Sequence, residues 1–185
     1  MAKLDAGFGG VRRRLARIYG EEGSPRDVRL ASVLARQELA DASRSGLSAD
    51  PADLQELTEL LLDLRLPDEA QQAGELLVQI RDDAASSHLL SVAMLSAGRS
   101  EAGIEMARRA VRQRPDFVSP IHNLAVAHLK RGEILRARYW VQQGLTVDSE
   151  DAKLRRLRAY LRVHALRVFA SKLAMMLRPT RSGPA

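Results

Sequence analysis

No cysteine occurs among the 185 residues of the chain, which excludes disulfide bonds and any metal site built on thiolate ligands. The four histidines form no His-Glu-x-x-His pair, and the glycines at 7–10 do not match the G-x-G-x-x-G pattern that binds phosphate. No set of residues stands out as a catalytic constellation. The sequence therefore predicts a protein that is not an enzyme and that binds no metal and no cofactor.

Aromatic residues are also scarce: they make up 4% of a chain that is 45% hydrophobic. The core must then consist mainly of Leu, Ala and Val, which suits packed helices better than a sheet, so an all-α protein is predicted. We expect Tyr139 and Trp140, which are adjacent, to pack beneath a final helix. The shortage of stacking side chains also disfavours nucleic acid as a partner, although the isoelectric point is near 10.3.

Long apolar runs are missing as well. No stretch approaches the roughly 18 apolar residues that span a membrane, and the N-terminus has no apolar run of the kind found in secretory signals. We therefore expect a cytoplasmic protein, with the cytoplasmic face of a membrane as a second place where it can act.

A pair of amphipathic helical patterns recurs along the chain. Over 120–150, apolar residues are spaced every three or four positions on both sides of Gly132, which suits the end of one helix and the start of another. About 34 residues upstream the pattern repeats. The matched pairs are Leu124 and Leu90, Ala127 and Ala93, Gly132 and Gly98, Gly144 and Ala110, and Leu145 and Val111. A third copy covers 51–84, with Arg65 in the glycine position, and a weaker fourth covers 9–44.

This pattern resembles the tetratricopeptide repeat (TPR) family, although no copy has the family's opening tryptophan and only Pro115 keeps its closing proline. The resemblance implies an all-α, right-handed solenoid of helical hairpins with about three to four repeats and a C-terminal capping helix. Three segments are expected: a degenerate helix pair over 1–49, a repeat array over 50–151, and a basic capping helix and tail over 152–185.

The charges are distributed unevenly. Residues 50–83 contain ten acidic and two basic residues, whereas 152–185 contain nine basic residues and no acidic one. An elongated molecule with this distribution has a dipole that steers charged partners and can drive head-to-tail association. The alternative is that these charges only solvate exposed helix faces.

The last predicted helix, over 150–177, has two apolar stripes, and Asp148 and Ser149 are expected to cap its start. One stripe is suited to cover the final repeat and comprises Leu154, Leu157, Leu161, Ala165 and Val168. The other has no obvious partner and comprises Leu166, Phe169, Leu173 and Leu177. The second stripe can bind another subunit, lie on an anionic membrane surface, or pack as ordinary core.

In tetratricopeptide arrays the first helix of each pair lines the concave face, where partners bind. The resemblance therefore implies a binding surface made of His88, Val92, His122, Asn123, Val126, Lys130, Lys153 and Arg156, preceded by Arg13, Arg17, Gln55, Glu59 and Asp63. Asn123 and Lys153 match residues of family members that clamp a carboxylate, whereas Val92 and Leu157 depart from that pattern.

The function implied is that of a non-catalytic adaptor or scaffold, which binds an extended or helical segment of another protein with an acidic end. A second interpretation is a membrane-surface or complex-assembly factor that works through its basic C-terminal helix. Homo-oligomerisation and binding to an anionic membrane surface are the further partner classes that the sequence leaves open.

Overall fold

The structure is a computed structural model that describes residues 24–163. Several sequence predictions lie outside the described residues: the start of the repeat copy over 9–44, and the residues Arg13, Arg17, Ala165, Leu166, Val168, Phe169, Leu173 and Leu177.

The described residues form helices and contain no strand, which confirms the all-α prediction. In chain order they are α1 (Pro25–Ser45), a short 3-10 helix (Gly46–Ser48), α2 (Pro51–Asp63), α3 (Pro67–Ile80), α4 (Ala84–Ser96), α5 (Ser100–Gln113), α6 (Val118–Lys130) and α7 (Ile134–Val147). The described part of the last helix, α8, covers 152–163. Three hairpins, α2–α3, α4–α5 and α6–α7, thus recur at the predicted spacing. No helix within 24–163 is long and apolar enough to cross a membrane.

The turn inside each hairpin requires one residue with a left-handed backbone. The φ angles there are 60° at Arg65, 79° at Gly98 and 73° at Gly132. In the third hairpin, Gly132 N–H donates to Leu129 C=O and Glu133 N–H to His128 C=O, both at 2.9 Å, and the same two bonds recur in the other turns. This Schellman arrangement satisfies carbonyls that the helix end would otherwise leave unpaired. Arg65 adopts it despite its side chain.

Aspartates cap three of the helices, namely α2, α4 and α8. The side chains of Asp50 and Asp83 accept from the backbone N–H groups of Ala52 and Ser86. Asp151 accepts from Leu154 N–H at 2.7 Å and so caps α8. The expectation that Asp148 and Ser149 cap this helix is wrong, because α8 begins at 152 and a capping side chain must directly precede the first helical turn.

The hairpins pack closely through small residues and apolar clusters. A Cβ atom added to Gly103 in α5 would lie 2.7 Å from Leu95 Cγ in α4, so only glycine allows this approach without movement. At the N-terminal end, Ala31, Ala35 and Leu39 of α1 join one buried cluster with Leu57 and Leu61. α1 is therefore part of the same core as α2 and α3.

α8 covers the last hairpin, as predicted for its described residues. Leu154 and Leu161 are buried in a cluster with residues of α6 and α7, and Leu157 packs at its edge. A Cβ atom on Gly144 would lie 2.4 Å from Leu154 Cδ1. Trp140 also packs against this cluster, but Tyr139 is 56% exposed, so its predicted burial is wrong. The Tyr139 ring contacts the Trp140 ring edge-on, with 5.2 Å between ring centroids, but is not itself covered by α8.

The third hairpin holds a buried polar contact where the others have apolar side chains. His128, equivalent to Leu61 and Met94, is buried, and its Nδ1 lies 2.6 Å from Glu133 Oε2. The hydrogen bond from His128, together with Arg136 and Arg131, lowers the pKa of Glu133 to about 2. This contact joins the end of α6 to the start of α7 beside the turn at Gly132.

The left-handed backbone at Arg65 yields a test of the turn. The Arg65 side chain is exposed and makes no hydrogen bond or ion pair with the described residues, so Arg65→Gly removes backbone strain without removing a side-chain contact. We expect the free energy of unfolding, measured by urea denaturation, to rise by about 0.5–1 kcal/mol. The matched control, Gly98→Arg, should lower it by a similar amount. A loss of stability in Arg65→Gly would contradict this account of the turn.

A second test concerns the cover that α8 provides. Leu154→Ala should lower the free energy of unfolding by about 2–5 kcal/mol, because it leaves a cavity against Gly144 and the α6–α7 core. The control is Leu135→Ala on α7, where the side chain is 80% exposed and the change should stay within about 0.5 kcal/mol. Equal effects of the two variants would show that α8 does not cap the array.

Candidate functional site

The first helices of the hairpins lie closer together than the second helices. α2 packs directly on α4, and α4 on α6, whereas no comparable contact joins α3 to α5 or α5 to α7 in the described part of the chain. A stack with this asymmetry curves, and the first helices lie on its inner side. The side of α2, α4, α6 and α8 that faces away from the second helices is called here the inner face.

Equivalent residues of successive repeats form rows across the inner face. One row contains Gln55, His88, His122 and Arg156; the next contains Glu59, Val92, Val126 and Tyr160; a third contains Asp63, Ser96 and Lys130. The predicted residues Asn123 and Lys153 lie beside the first row. Along each row the side chains change from acidic or amide at α2 to basic or aromatic at the far end.

His88 lies in an apolar and cationic environment. Its ring packs edge-on against Phe117, with 5.0 Å between ring centroids, and the Arg114 guanidinium lies 3.9 Å from the centroid of the Phe117 ring. Burial, and then the charge of Arg114, lower the pKa of His88 to about 4. His88 is therefore neutral near pH 7. It therefore supplies no positive charge to a bound carboxylate near pH 7.

His122 lies near three other polar residues, Asn123, Lys153 and Asp151. His122 is half-buried, and this burial is the main cause that lowers its pKa. The positive charge of Lys153 lowers the pKa further, whereas a hydrogen bond with Asn123 and the negative charge of Asp151 raise it. The structure thus brings together His122, Asn123 and Lys153, which the resemblance assigned to the binding surface.

Arginines in the linkers between hairpins also contribute to the inner face. Arg81 Nη2 donates to Gln55 Oε1 at 2.7 Å, and Arg114, its equivalent one repeat later, stacks on Phe117. These residues and Phe117 were missed by the sequence analysis. The 33-residue step from Arg81 to Arg114 is the signal that indicates them, because it matches the step from Gln55 to His88.

Four carboxylates of the first hairpin and its following linker form ion pairs with arginines. Ion pairs join Arg36 to Glu69 at 2.7 Å, Arg99 to Asp68 at 2.9 Å and Arg81 to Asp83 at 3.1 Å, and Arg109 pairs with Asp82.

The inner face differs from this pattern. Glu59 accepts a hydrogen bond from the Gln55 amide at 3.2 Å, and neither Glu59 nor Asp63 contacts a cation among residues 24–163. At the opposite end, Lys130, Lys153 and Arg156 are exposed and contact no carboxylate within the same range. The inner face therefore carries uncompensated negative charge on α2 and uncompensated positive charge on α6 and α8.

Neither a protein-family model nor a curated protein matches the sequence. Solved structures do match. MamA aligns with a TM-score of 0.62 at 17% identity over 79% of this chain and 84% of that one. YrrB, described as a TPR protein with an unusual peptide-binding site, aligns with a TM-score of 0.65 at 13% identity over 85% of this chain and 77% of that one.

A third match is to the nearly identical TPR-like repeats of a Podosopora anserina protein described as a kinesin light chain. It has a TM-score of 0.62 at 20% identity and covers 91% of this chain and 92% of that one. Identities this low show a shared fold. The chain is thus a solenoid of helical hairpins. More particularly, its fold is that of tetratricopeptide-repeat proteins, as the sequence pattern predicts.

The environment of His88 yields a pH-dependent prediction. The unfolded chain takes up a proton at His88 near the usual pKa of 6.5, whereas the folded chain does so only near pH 4. The contribution of His88 to folded stability is therefore complete above about pH 6.5, falls as the pH is lowered towards 4, and levels off below that.

The matching variant is His88→Gln, which introduces the residue that Gln55 provides in the first repeat. Urea denaturation at several pH values should show a smaller loss of stability for the variant between pH 6.5 and 4 than for the unaltered chain. Identical pH profiles would show that His88 is not held neutral in the fold.

Proposed function

We propose that this protein is a non-catalytic adaptor or scaffold that binds a segment of another protein along its inner face. The observation that carries the proposal is the composition of the α6–α8 half of that face. There, a partly buried Val126 lies beside His122 and Asn123, and unpaired cations stand at the edge. The half combines an apolar contact, amide and imidazole hydrogen-bonding groups, and positive charge.

The apolar contribution comes from Val92 and Val126, which are half-buried and adjacent in one row. Side chains of this kind bury the apolar residues of an extended or helical segment, as in other grooves that bind helices. Phe117, held between His88 and Arg114, extends the apolar surface at the start of α6. A bound segment would gain contact area along the row.

The polar contribution lies at the far end, where Asn123, Lys153 and Arg156 can bind an acidic end of the segment. The neutral His88 and the apolar Val92 do not support a complete carboxylate clamp, so the proposal is a partner with acidic side chains or a carboxylate at one end. Charge-assisted hydrogen bonds from an amide and two cations suit that chemistry. The peptide-binding site ascribed to the similarly folded YrrB supports the partner class by analogy.

Site-specific photo-crosslinking tests where the partner binds. A photoreactive phenylalanine analogue at position 126 should crosslink a partner in native lysate. The same analogue at position 139 should not, because Tyr139 is an exposed aromatic residue outside the inner-face rows. Equal crosslinking from both positions would contradict binding in the inner face.

Charge reversal then tests the polar end. Lys153→Glu with Arg156→Glu should weaken capture of the crosslinked partner by at least about tenfold, since each charge-assisted contact contributes about 1.5–3 kcal/mol. The control is Arg138→Glu on α7, which also removes an exposed arginine without a carboxylate contact in the described residues. Unchanged melting temperatures would confirm that each variant is folded.

A further inference from the structure

The α2–α4 half of the inner face differs in chemistry from the half discussed above. It presents the carboxylates of Glu59 and Asp63 one helical turn apart on α2, with the partly buried Val92 next to them on α4. Neither carboxylate contacts a cation in the described part of the chain, although arginines pair with carboxylates around the rest of this hairpin. This half is therefore an acidic surface with one apolar contact, Val92.

The same chain contains a segment of complementary chemistry. Residues 152–185 hold nine basic residues and no acidic residue. Within α8, Arg156 and Arg162 are exposed and contact no carboxylate among the described residues. Beyond the described residues, the sequence keeps an apolar stripe of Leu166, Phe169, Leu173 and Leu177 interleaved with Arg167 and Lys172. A basic segment with one apolar stripe is the type of ligand that binds a surface of carboxylates beside an apolar contact.

We propose that the α2–α4 half of the inner face binds the basic C-terminal segment of a second copy of this chain. Charge complementarity identifies the occupant, since the surplus negative charge of one part of the chain matches the surplus positive charge of another. The contact is heterologous, so two copies can exchange segments or further copies can add head to tail. Val92 would contact the apolar stripe, while Glu59 and Asp63 pair with its flanking cations.

Geometry favours a second copy over the chain's own segment. Neighbouring helices pack at about 8–10 Å, and three such steps separate α2 from α8, so the two helices are about 30 Å apart. Arg167 follows the last described residue of α8, at 163, by four residues, which span at most about 14 Å. Arg167 therefore cannot reach α2 of the same chain.

This inference does not rest on the acidic-ended partner proposed above, although both sites include Val92, because it uses the carboxylates of α2 and a basic segment as their partner. Sedimentation velocity of the full chain should show self-association at about 0.05 M salt that weakens markedly at about 0.5 M, where screening is strong. A chain that stays monomeric at low salt up to about 100 μM would overturn the proposal.

A charge swap between two variants tests the proposed pairing directly. One variant carries Glu59→Arg and Asp63→Arg, and the other carries Arg167→Glu and Lys172→Glu. Each alone should associate at least about tenfold more weakly than the unaltered chain, whereas their equimolar mixture should associate again, since opposite charges then face each other in trans. A control variant, Glu101→Arg on α5, alters an exposed carboxylate outside the inner-face rows and should associate like the unaltered chain.

Two results would overturn the proposal even if the single variants fail to associate. The first is a mixture that does not associate although both variants keep the melting temperature of the unaltered chain. The second is a chain that stays monomeric but floats with phosphatidylglycerol vesicles, and not with phosphatidylcholine vesicles, through Arg167 and Lys172. That outcome would assign the basic segment to an anionic lipid surface instead.

Discussion

The turn that closes each hairpin is the constraint on which the other contacts depend. A single left-handed residue and two backbone hydrogen bonds fix the angle between the first and second helix. With that angle set, a small residue of the second helix, such as Gly103, comes against the first helix at a distance that no larger residue allows. The first helix of each hairpin then lies directly beside the first helix of the preceding hairpin, and these adjacent helices form the inner face.

The middle hairpin shows how much the repeats depend on one another. Ser87 stands where the neighbouring repeats have Leu54 and Ile121, and Ser91 stands where they have Thr58 and Ala125. Both serines are buried, and their hydroxyl oxygens have no hydrogen-bond partner in the described part of the chain. α4 thus has a less apolar buried face than α2 or α6. Neighbouring hairpins cover α4 on both sides. The hairpins at the two ends of the array have a neighbour on one side, and α1 and α8 cover the other side with buried Ala and Leu side chains.

Features that repeat could be predicted from the sequence. Gly98 and Gly132 located two hairpin turns, their spacing located the third at Arg65, and Pro51 and Pro67 stand at the starts of their helices. Contacts made only once could not be predicted. The packing of Arg114 on Phe117 and of Phe117 on His88 depends on one linker, and the equivalent linker position after the third hairpin holds Asp148. For the same reason, periodicity could not show that His88 is neutral, since Phe117 and Arg114, which lie around its ring, come from that linker.

The distribution of charge follows from the same geometry. Arginines on α1, on α5 and at the hairpin turns meet carboxylates of the first hairpin and its linker, because those elements lie within ion-pair distance of neighbouring repeats. Glu59 and Asp63 face away from the second helices, where no arginine of 24–163 reaches them, and within the same range no carboxylate reaches Lys130, Lys153 and Arg156 at the other end. Such exposed single charges cost little in stability, since water screens them. Their opposite signs at the two ends of one groove nevertheless give it a direction, because a charged segment that enters in the reverse orientation meets like charge at both ends.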